Sequence, residues 1–413
     1  MSNKIAMRVC IFVFAVWGAT ALPGATLIVG KAGTHCPHAK YTQIAAAIEA
    51  ANAGDTIEIC PALYAEQLTI TKPLTLRGLV ENGVGRVQIQ PTTMSPAVSM
   101  DGAVGGLPVE AVITVANSHR VTVENLAIDA RNNGVAGCAP MVAGIHYYNS
   151  SGVVKNNAIA GVQVTGCTGA GALLFGSGIG MMADADESGQ FPVSVEQNSI
   201  HDFTRDGILA TGGGVTARID GNSISGKGPG GGVFQFGVFV LNDAVGVICN
   251  NLIHEGSCGA LSADDCYAAR TEGVTLRAVG DGTIVDHNII STAQSGIFIN
   301  GGRHVEISNN VITDIDLLDG MDIQGTAAGS FSESRIWNNT ISNLGPVENQ
   351  SCGIFEYTGT GVAGNVLLNN SVSDGYCGAG VVAADHIAHG SYYNTLFTEI
   401  NSDLPTLPDP TEP

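Results

Sequence analysis

The sequence predicts an all-β solenoid in which short strands wind into stacked parallel coils. Three observations point there: one phrase recurs at a short period, other columns keep phase with it, and the composition suits neither helices nor disorder. The phrase is clearest in "DHNIISTAQSGIFINGGRHVEISNNVI" (286–312), where Asn288-Ile289-Ile290 returns 22 residues later as Asn310-Val311-Ile312. With 55 Gly, 45% apolar and 13% charged residues among 413, the chain is too apolar for disorder and too glycine-rich for a helical protein.

Laid out on this phrase, the chain resolves into nine coils. One aliphatic column holds Ile128, Ile159, Ile200, Ile224, Ile253, Ile290, Ile312, Ile341 and Val372. Two residues before it stand Leu126, then Asn157, Asn198, Asn222, Asn251, Asn288, Asn310, Asn339 and Asn370. A further aliphatic column runs from Val123 to Leu367, three residues before the asparagines. A third family of strands opens on Gly144, Gly178, Gly207, Gly237, Gly273, Gly296, Gly320, Gly353 and Gly380, each followed by an apolar residue.

Strands this short cannot bury a face alone. Stacked in register at about 4.8 Å, they pair with the coils above and below, and the aliphatic columns merge into one core. An Asn repeated at one position of such a stack can bond its amide to the next, which satisfies a group that is costly to bury singly. The same asparagines are expected to take the left-handed backbone of a corner. The repeated Asn is therefore read as structural, not as a binding site.

The N-terminal run "YTQIAAAIEAANAGDTIEICPALYAEQLTITKPLTLRG" (41–78) adds a short helical stretch, then Gly54-Asp55-Thr56-Ile57 and Tyr64-x-Glu66. With the repeats, it resembles the right-handed parallel β-helix of the pectin-lyase-like superfamily over residues 25–400. That resemblance implies that the helix caps the open end of the solenoid, with Ile44, Ala45 and Ile48 toward the core. The expected organisation is a signal peptide at 1–21, an N-terminal cap at 22–66, the β-helix at 67–400 and a disordered proline-rich tail at 401–413. Lys4 and Arg8, then "VCIFVFAVWGA" and Ala19-Thr20-Ala21, carry the signal reading. A secreted protein, extracellular or periplasmic, and a monomer is expected, with no membrane insertion once the signal is cleaved.

The formal net charge is −20. Loss of Lys4 and Arg8 would leave 15 basic against 37 acidic residues, a surface that repels nucleic acid and anionic lipid. It would repel a polyuronate too, unless a divalent cation bridges the two. Ten cysteines in an exported chain read as disulfides: Cys36–Cys60, Cys138–Cys167, Cys352–Cys377, and one pair among Cys249, Cys258 and Cys266. There is no C-x-x-C, and "HCPH" (35–38) and "DHIAH" (385–389) are not expected to hold metal. The glycine runs at 211–215 and 228–233 are read as tight bends.

Function is expected on the loops of one face. The longest connection, His254 to Glu272, stands beside two short ones, Ser291–Ser295 and Thr313–Asp319, like a wall above an open face. If the residue after each strand glycine points inward, the next points out. Phe298, Asp322 and Phe355, flanked by Asn300, Gln324, Tyr357 and Arg277, then resemble a sugar groove, with rings for pyranose faces and polar groups for hydroxyls. The plain alternative is that the rings pack beneath the long loops. Glu356 would point inward, which demands a bulge or a function.

Acidic residues precede three strand glycines: Asp206, Glu272 and Asp319. With Asp202, Asp314, Asp316 and Asp322 they suit a hydrolytic pair or a calcium site, while Asp-Gly is also an ordinary turn pair. Asp322 lies mid-strand, where no turn explains it. Asp322 and Asp319 are thus the candidate acid/base or calcium-ligand pair, and Arg277 the partner of a substrate carboxylate. The motifs of polygalacturonases, pectin methylesterases, pectate lyases and epimerases are missing: no "NTD" with "GHG" and "RIK", no "GRPW", no "WxDH", no "DPH". The expectation is an exported polysaccharide lyase or glycoside hydrolase with an atypical site, needing no cofactor, with calcium possible. The alternative is a non-catalytic glycan-binding or surface-exposed structural protein.

Overall fold

The computed structural model describes residues 24–31, 36, 38–80, 86–99, 108–135, 140–163, 176–183, 188–228, 234–256, 270–291, 294–316, 319–324, 331–344, 352–356, 362–363, 366–368, 370–373, 377–381 and 395–396. Three sheets run along the molecule. The first has twelve strands from Thr26–Val29 to Val366–Leu368, the second twelve from Leu63–Tyr64 to Thr395–Leu396, and the third fourteen, with Leu68–Ile70 and Cys377–Val381 at its ends. Each coil visits the third, first and second sheet in turn, as in Ser177–Met182, Phe191–Glu196 and Ser199–His201. Strands pair in parallel, except that Val98–Ser99 lies antiparallel to Pro108–Ala116. This is the parallel β-helix the repeats predict.

The repeat columns are spatial columns. Ile159, Ile200, Ile224, Ile253, Ile290, Ile312, Ile341 and Val372 pair in unbroken register, and all are buried. Seven strand glycines, Gly144 to Gly320, face that column across the core. A Cβ on any of them would come 2.3–2.6 Å from an Ile Cγ2 and 2.5–2.7 Å from the next glycine carbonyl. Close approach of two sheets therefore demands glycine here.

The amide ladder runs from Asn157 to Asn370. Each Nδ2 donates to the Oδ1 of the next asparagine at 2.9–3.0 Å. That same Oδ1 also accepts the preceding asparagine's backbone N–H at 2.9–3.1 Å. The left-handed corner, however, falls one residue earlier. Asn156, Gln197, Asn250, His287, Asn309 and Asn338 have φ of 54–57°, and Gly221 has 66°. The ladder asparagines themselves do not have positive φ, so the neighbour makes the bend.

At the N-terminal end, helix Ile44–Ala50 buries Ile44, Ala47 and Ile48. Ala45, expected in the core, is exposed, because a helix buries positions three and four apart. Glu66 caps the helix from a distance by accepting the backbone N–H of Ile44 at 3.0 Å and of Ala45 at 2.9 Å. Tyr64 is buried and donates to the Cys60 carbonyl at 2.9 Å. Cys36 and Cys60 are joined as expected. Cys249 and Cys352 are also disulfide-bonded, and Cys352 pairs in register with Cys377. Cys138, Cys167, Cys258 and Cys266 lie outside the described residues, as do the signal segment and the tail. Among the described residues no helix is long and apolar enough to cross a membrane.

Candidate functional site

The outer face of the third sheet carries the candidate residues. Leu209, Phe239, Thr275, Phe298, Asp322 and Phe355 follow one another in register, one per coil. Their strand neighbours, such as Val274, Leu276, Ile297, Ile299, Met321 and Ile323, are fully buried in the core, so this column points out. The face is covered rather than open: Thr275 is 2%, Phe298 8% and Asp322 1% exposed. Phe298 is thus almost wholly covered, while Phe355 is half-buried.

A kink at the strand glycine brings further groups to the same face. Pairing runs Phe236↔Glu272, then Val238↔Val274, with the glycines of both strands passed over. Glycine and its follower both face the core, so the residue before the glycine turns outward. Glu272 accordingly accepts the Thr275 hydroxyl at 2.6 Å. Asp319 accepts the Cys352 backbone N–H at 2.7 Å. Glu272 lies within strand Thr271–Val279 and is not a turn residue. Asp202 and Asp314, in contrast, sit at exposed left-handed corners, with φ of 58° and 56°.

The Arg270 charge acts on Glu272, Asp319 and Asp322 alike. The guanidinium stands 3.8 Å from Glu272 Oε1 and 6.0 Å from the Phe298 ring centre. Burial pushes Asp319 up to about 8, with the Asp322 charge adding to it and the Cys352 N–H and Arg270 opposing. Burial raises Glu272 to about 7 against Thr275 and Arg270. Asp322 rises to about 6, held down by Arg270 and Gln324. At neutral pH the set therefore mixes a proton-bearing acid with an ionised base.

Of the other expected residues, Asn300 is buried, while Gln324 and Phe355 are half-buried. Arg277 is exposed and electrostatically reaches Glu272 but neither aspartate. Tyr357 lies outside the described residues. Glu356 pairs in register with Ile323, and its side chain is likewise outside the described set. Arg270 escaped the sequence reading. Its signal was the Arg two residues before Glu272-Gly273, echoed by Arg205 beside Asp206-Gly207, where the guanidinium lies 5.4 and 5.5 Å from the ring centres of Phe236 and Phe239. Among the described residues no group of three or more His, Cys, Asp or Glu is arranged to hold a metal ion.

A family profile described as the right-handed beta helix region matches residues 143–388. The chain belongs to the right-handed β-helix family. Among solved structures it resembles the GH136 lacto-N-biosidase of Eubacterium ramulus at 13% identity and a TM-score of 0.55, covering 91% of this chain and 67% of that one. It also resembles the A-module of a mannuronan C-5 epimerase from Azotobacter vinelandii, at 15% identity and a TM-score of 0.45, covering 86% of this chain and 94% of that one. At such identities the likeness is one of fold alone. No curated protein matches the chain.

Proposed function

We propose that this right-handed β-helix protein hydrolyses glycosidic bonds of a polysaccharide, with Asp319 as acid and Asp322 as its ionised partner. The observation that carries the reading is the set of three buried carboxyls on which the Arg270 charge acts, with proton affinities staggered from about 6 to about 8. Asp319 would give its proton to the departing glycosidic oxygen as the C–O bond breaks. Asp322 would attack the anomeric carbon or take a proton from the attacking water, depending on whether the carboxyls stand roughly 5 Å or roughly 6.5–9.5 Å apart. Phe298 offers a ring for a pyranose. The sugar-contact roles expected of Asn300, Gln324, Phe355 and Tyr357 stay within the same proposal, whereas Arg277, expected to meet a carboxylated sugar, has no part in it.

Three carboxyls are a poor seat for a uronate, so a neutral glycan is the favoured substrate class. The reaction needs no cofactor, and calcium would enter only to bridge a polyuronate. The lacto-N-biosidase adds only that such a scaffold carries a glycosidase. We place the protein outside the cytoplasm as a monomer, after removal of residues 1–21. The test offers the purified mature chain plant, algal and bacterial polysaccharides, with and without calcium. New reducing ends from a neutral glycan, reduced about a hundredfold or more in D319N and D322N, are expected. Absorbance from unsaturated uronates would replace hydrolysis by elimination. Retention on a glycan without product would replace catalysis by binding.

A further inference from the structure

The second sheet turns a face without fixed charge to the solvent. Its middle outward column runs in unbroken register from Ala158 to Ser371. A second column runs beside it from Ala160 to Ser342, and the corner residues from Asn156 to Asn338 make a third. Every position in these three columns is Ala, Ser, Thr, an aliphatic, an amide, Gly or His. None is Asp, Glu, Lys or Arg, in a chain with 37 acidic residues. Charge begins just outside, with Lys155, Glu196, Asp220 and Asp286 on the first-sheet side and Asp202 and Asp314 on the other. Asp129, paired with Arg131, closes one end.

Apolar side chains hold the centre of that face. Leu252, Ile289 and Val311 are 49%, 48% and 40% exposed and stand on successive coils, about 4.8 Å apart. With Leu63, farther along the same column, they are four of the five large apolar side chains exposed among the described residues. Beyond them Ser223 continues the line on one side and Thr340 on the other. An apolar centre within a polar ring is how protein interfaces are built. Charge then selects the partner. Each copy carries −20, so two copies repel wherever their acids meet, and this face is where they can approach. The aliphatic line also keeps the coil spacing, which another face of the same repeat matches along its whole length.

We infer that two copies of this chain pair through the second sheet, with Leu252, Ile289 and Val311 at the centre of the contact. A two-fold axis through Ile289 that reverses the coil order sets Leu252 against Val311 of the partner subunit, and Ser223 against Thr340 of the partner subunit. Like chemistry then meets like on every coil, and no acid faces another. Eight coils by three columns make a face of about 34 by about 13 Å, or about 450 Å² a side, against roughly 800 Å² a side in a tight complex. That size fits a pair that forms and parts. The dilute chain is the monomer placed above, and copies meet when they are concentrated and salt screens their charge. The inference stands apart from the proposed reaction, and its test needs no substrate.

Sedimentation velocity of the purified mature chain measures the mass, at about pH 8, where an ordinary histidine is neutral. Between about 1 µM and about 1 mM, the range of weak complexes, the mass should climb toward twice that of one chain. Raising salt from about 0.01 M to about 1 M shortens the screening length from about 30 Å to about 3 Å and should move that climb to lower concentration. I289D should keep the mass of one chain throughout. I289S takes the serine that Ser199 and Ser223 carry in the same column, and should pair at least about tenfold more weakly. It decides the matter if I289D does not fold. A single-chain mass for wild type across both series would overturn the inference, as would variants that pair as well as wild type. Retention on an insoluble neutral glycan that I289S loses, with wild type staying single, would overturn it too and give the face to a sugar.

Discussion

Asn309 and Asn310 read alike and do opposite work. Asn310 donates to Asn339 and accepts from Asn288, so Asn310→Ala strands buried donors and acceptors in two coils. A loss of about 2–3 kcal/mol in urea unfolding is expected. Asn309 holds the left-handed corner at φ 55°, and Asn309→Gly should stay within about 1 kcal/mol of wild type. Which asparagine bends was not legible, because spacing shows that a pair recurs and not which member turns. Asp322 was legible, since a mid-strand acid has no turn to explain it. Arg270 was not, because it ends a long connection outside the repeating columns, whereas Arg277 lay within them and drew attention by its phase. The site's titration gives a second prediction. The base must be ionised and the acid protonated, so activity should rise as pH passes about 6 and fall as it passes about 8. A pH–rate profile checks it, and D319N should lose the alkaline limb.

Seven coils owe their close packing in the third sheet to a glycine. Gly273→Ala would push a Cβ to 2.3 Å from Ile290 Cγ2 and 2.7 Å from the Gly296 carbonyl oxygen, so two coils must part. A loss of about 2 kcal/mol or more by urea unfolding is expected. The glycine column was plain in the sequence, yet its consequence was not. Simple alternation breaks at the glycine, where Gly273 and Val274 both face the core, and Glu272 meets Thr275 on the outer face. The cap helix shows the same limit. Its place was legible from the Tyr64-x-Glu66 pattern, while Glu66 acting as the cap is a contact across 22 residues that local spacing does not reveal. Glu66→Ala should cost about 1 kcal/mol, read by urea unfolding.

Over the whole molecule, repetition made the architecture readable and hid the chemistry. Columns that recur in every coil, such as the asparagines, build the scaffold. Residues that occur once, such as Arg270, stand outside those columns. Buried carboxyls also set how stability follows pH. Glu110, Asp206, Glu255, Glu272, Asp319 and Asp322 all bind protons more tightly folded than unfolded. Each such group destabilises the fold as pH rises above its unfolded value near 4, and the cost is complete above its folded value. His146 works the other way, since burial lowers it to about 4 and stability falls as pH drops from its ordinary 6.5. Glu124, Asp129 and Glu333, held low by ion pairs, lose stability only as pH falls below about 4, so the thermal midpoint should be highest in mildly acid solution and decline toward alkaline pH.

Asp319, Asp322, Glu272 and Arg270 are proposed to form one sugar-cleaving site. A crystal structure of D322N soaked with an oligosaccharide substrate is the decisive measurement. A glycosidic oxygen within about 3 Å of the Asp319 carboxyl and a sugar ring against Phe298 are expected. A sugar bound elsewhere on the coil, with this carboxyl set untouched, would contradict it.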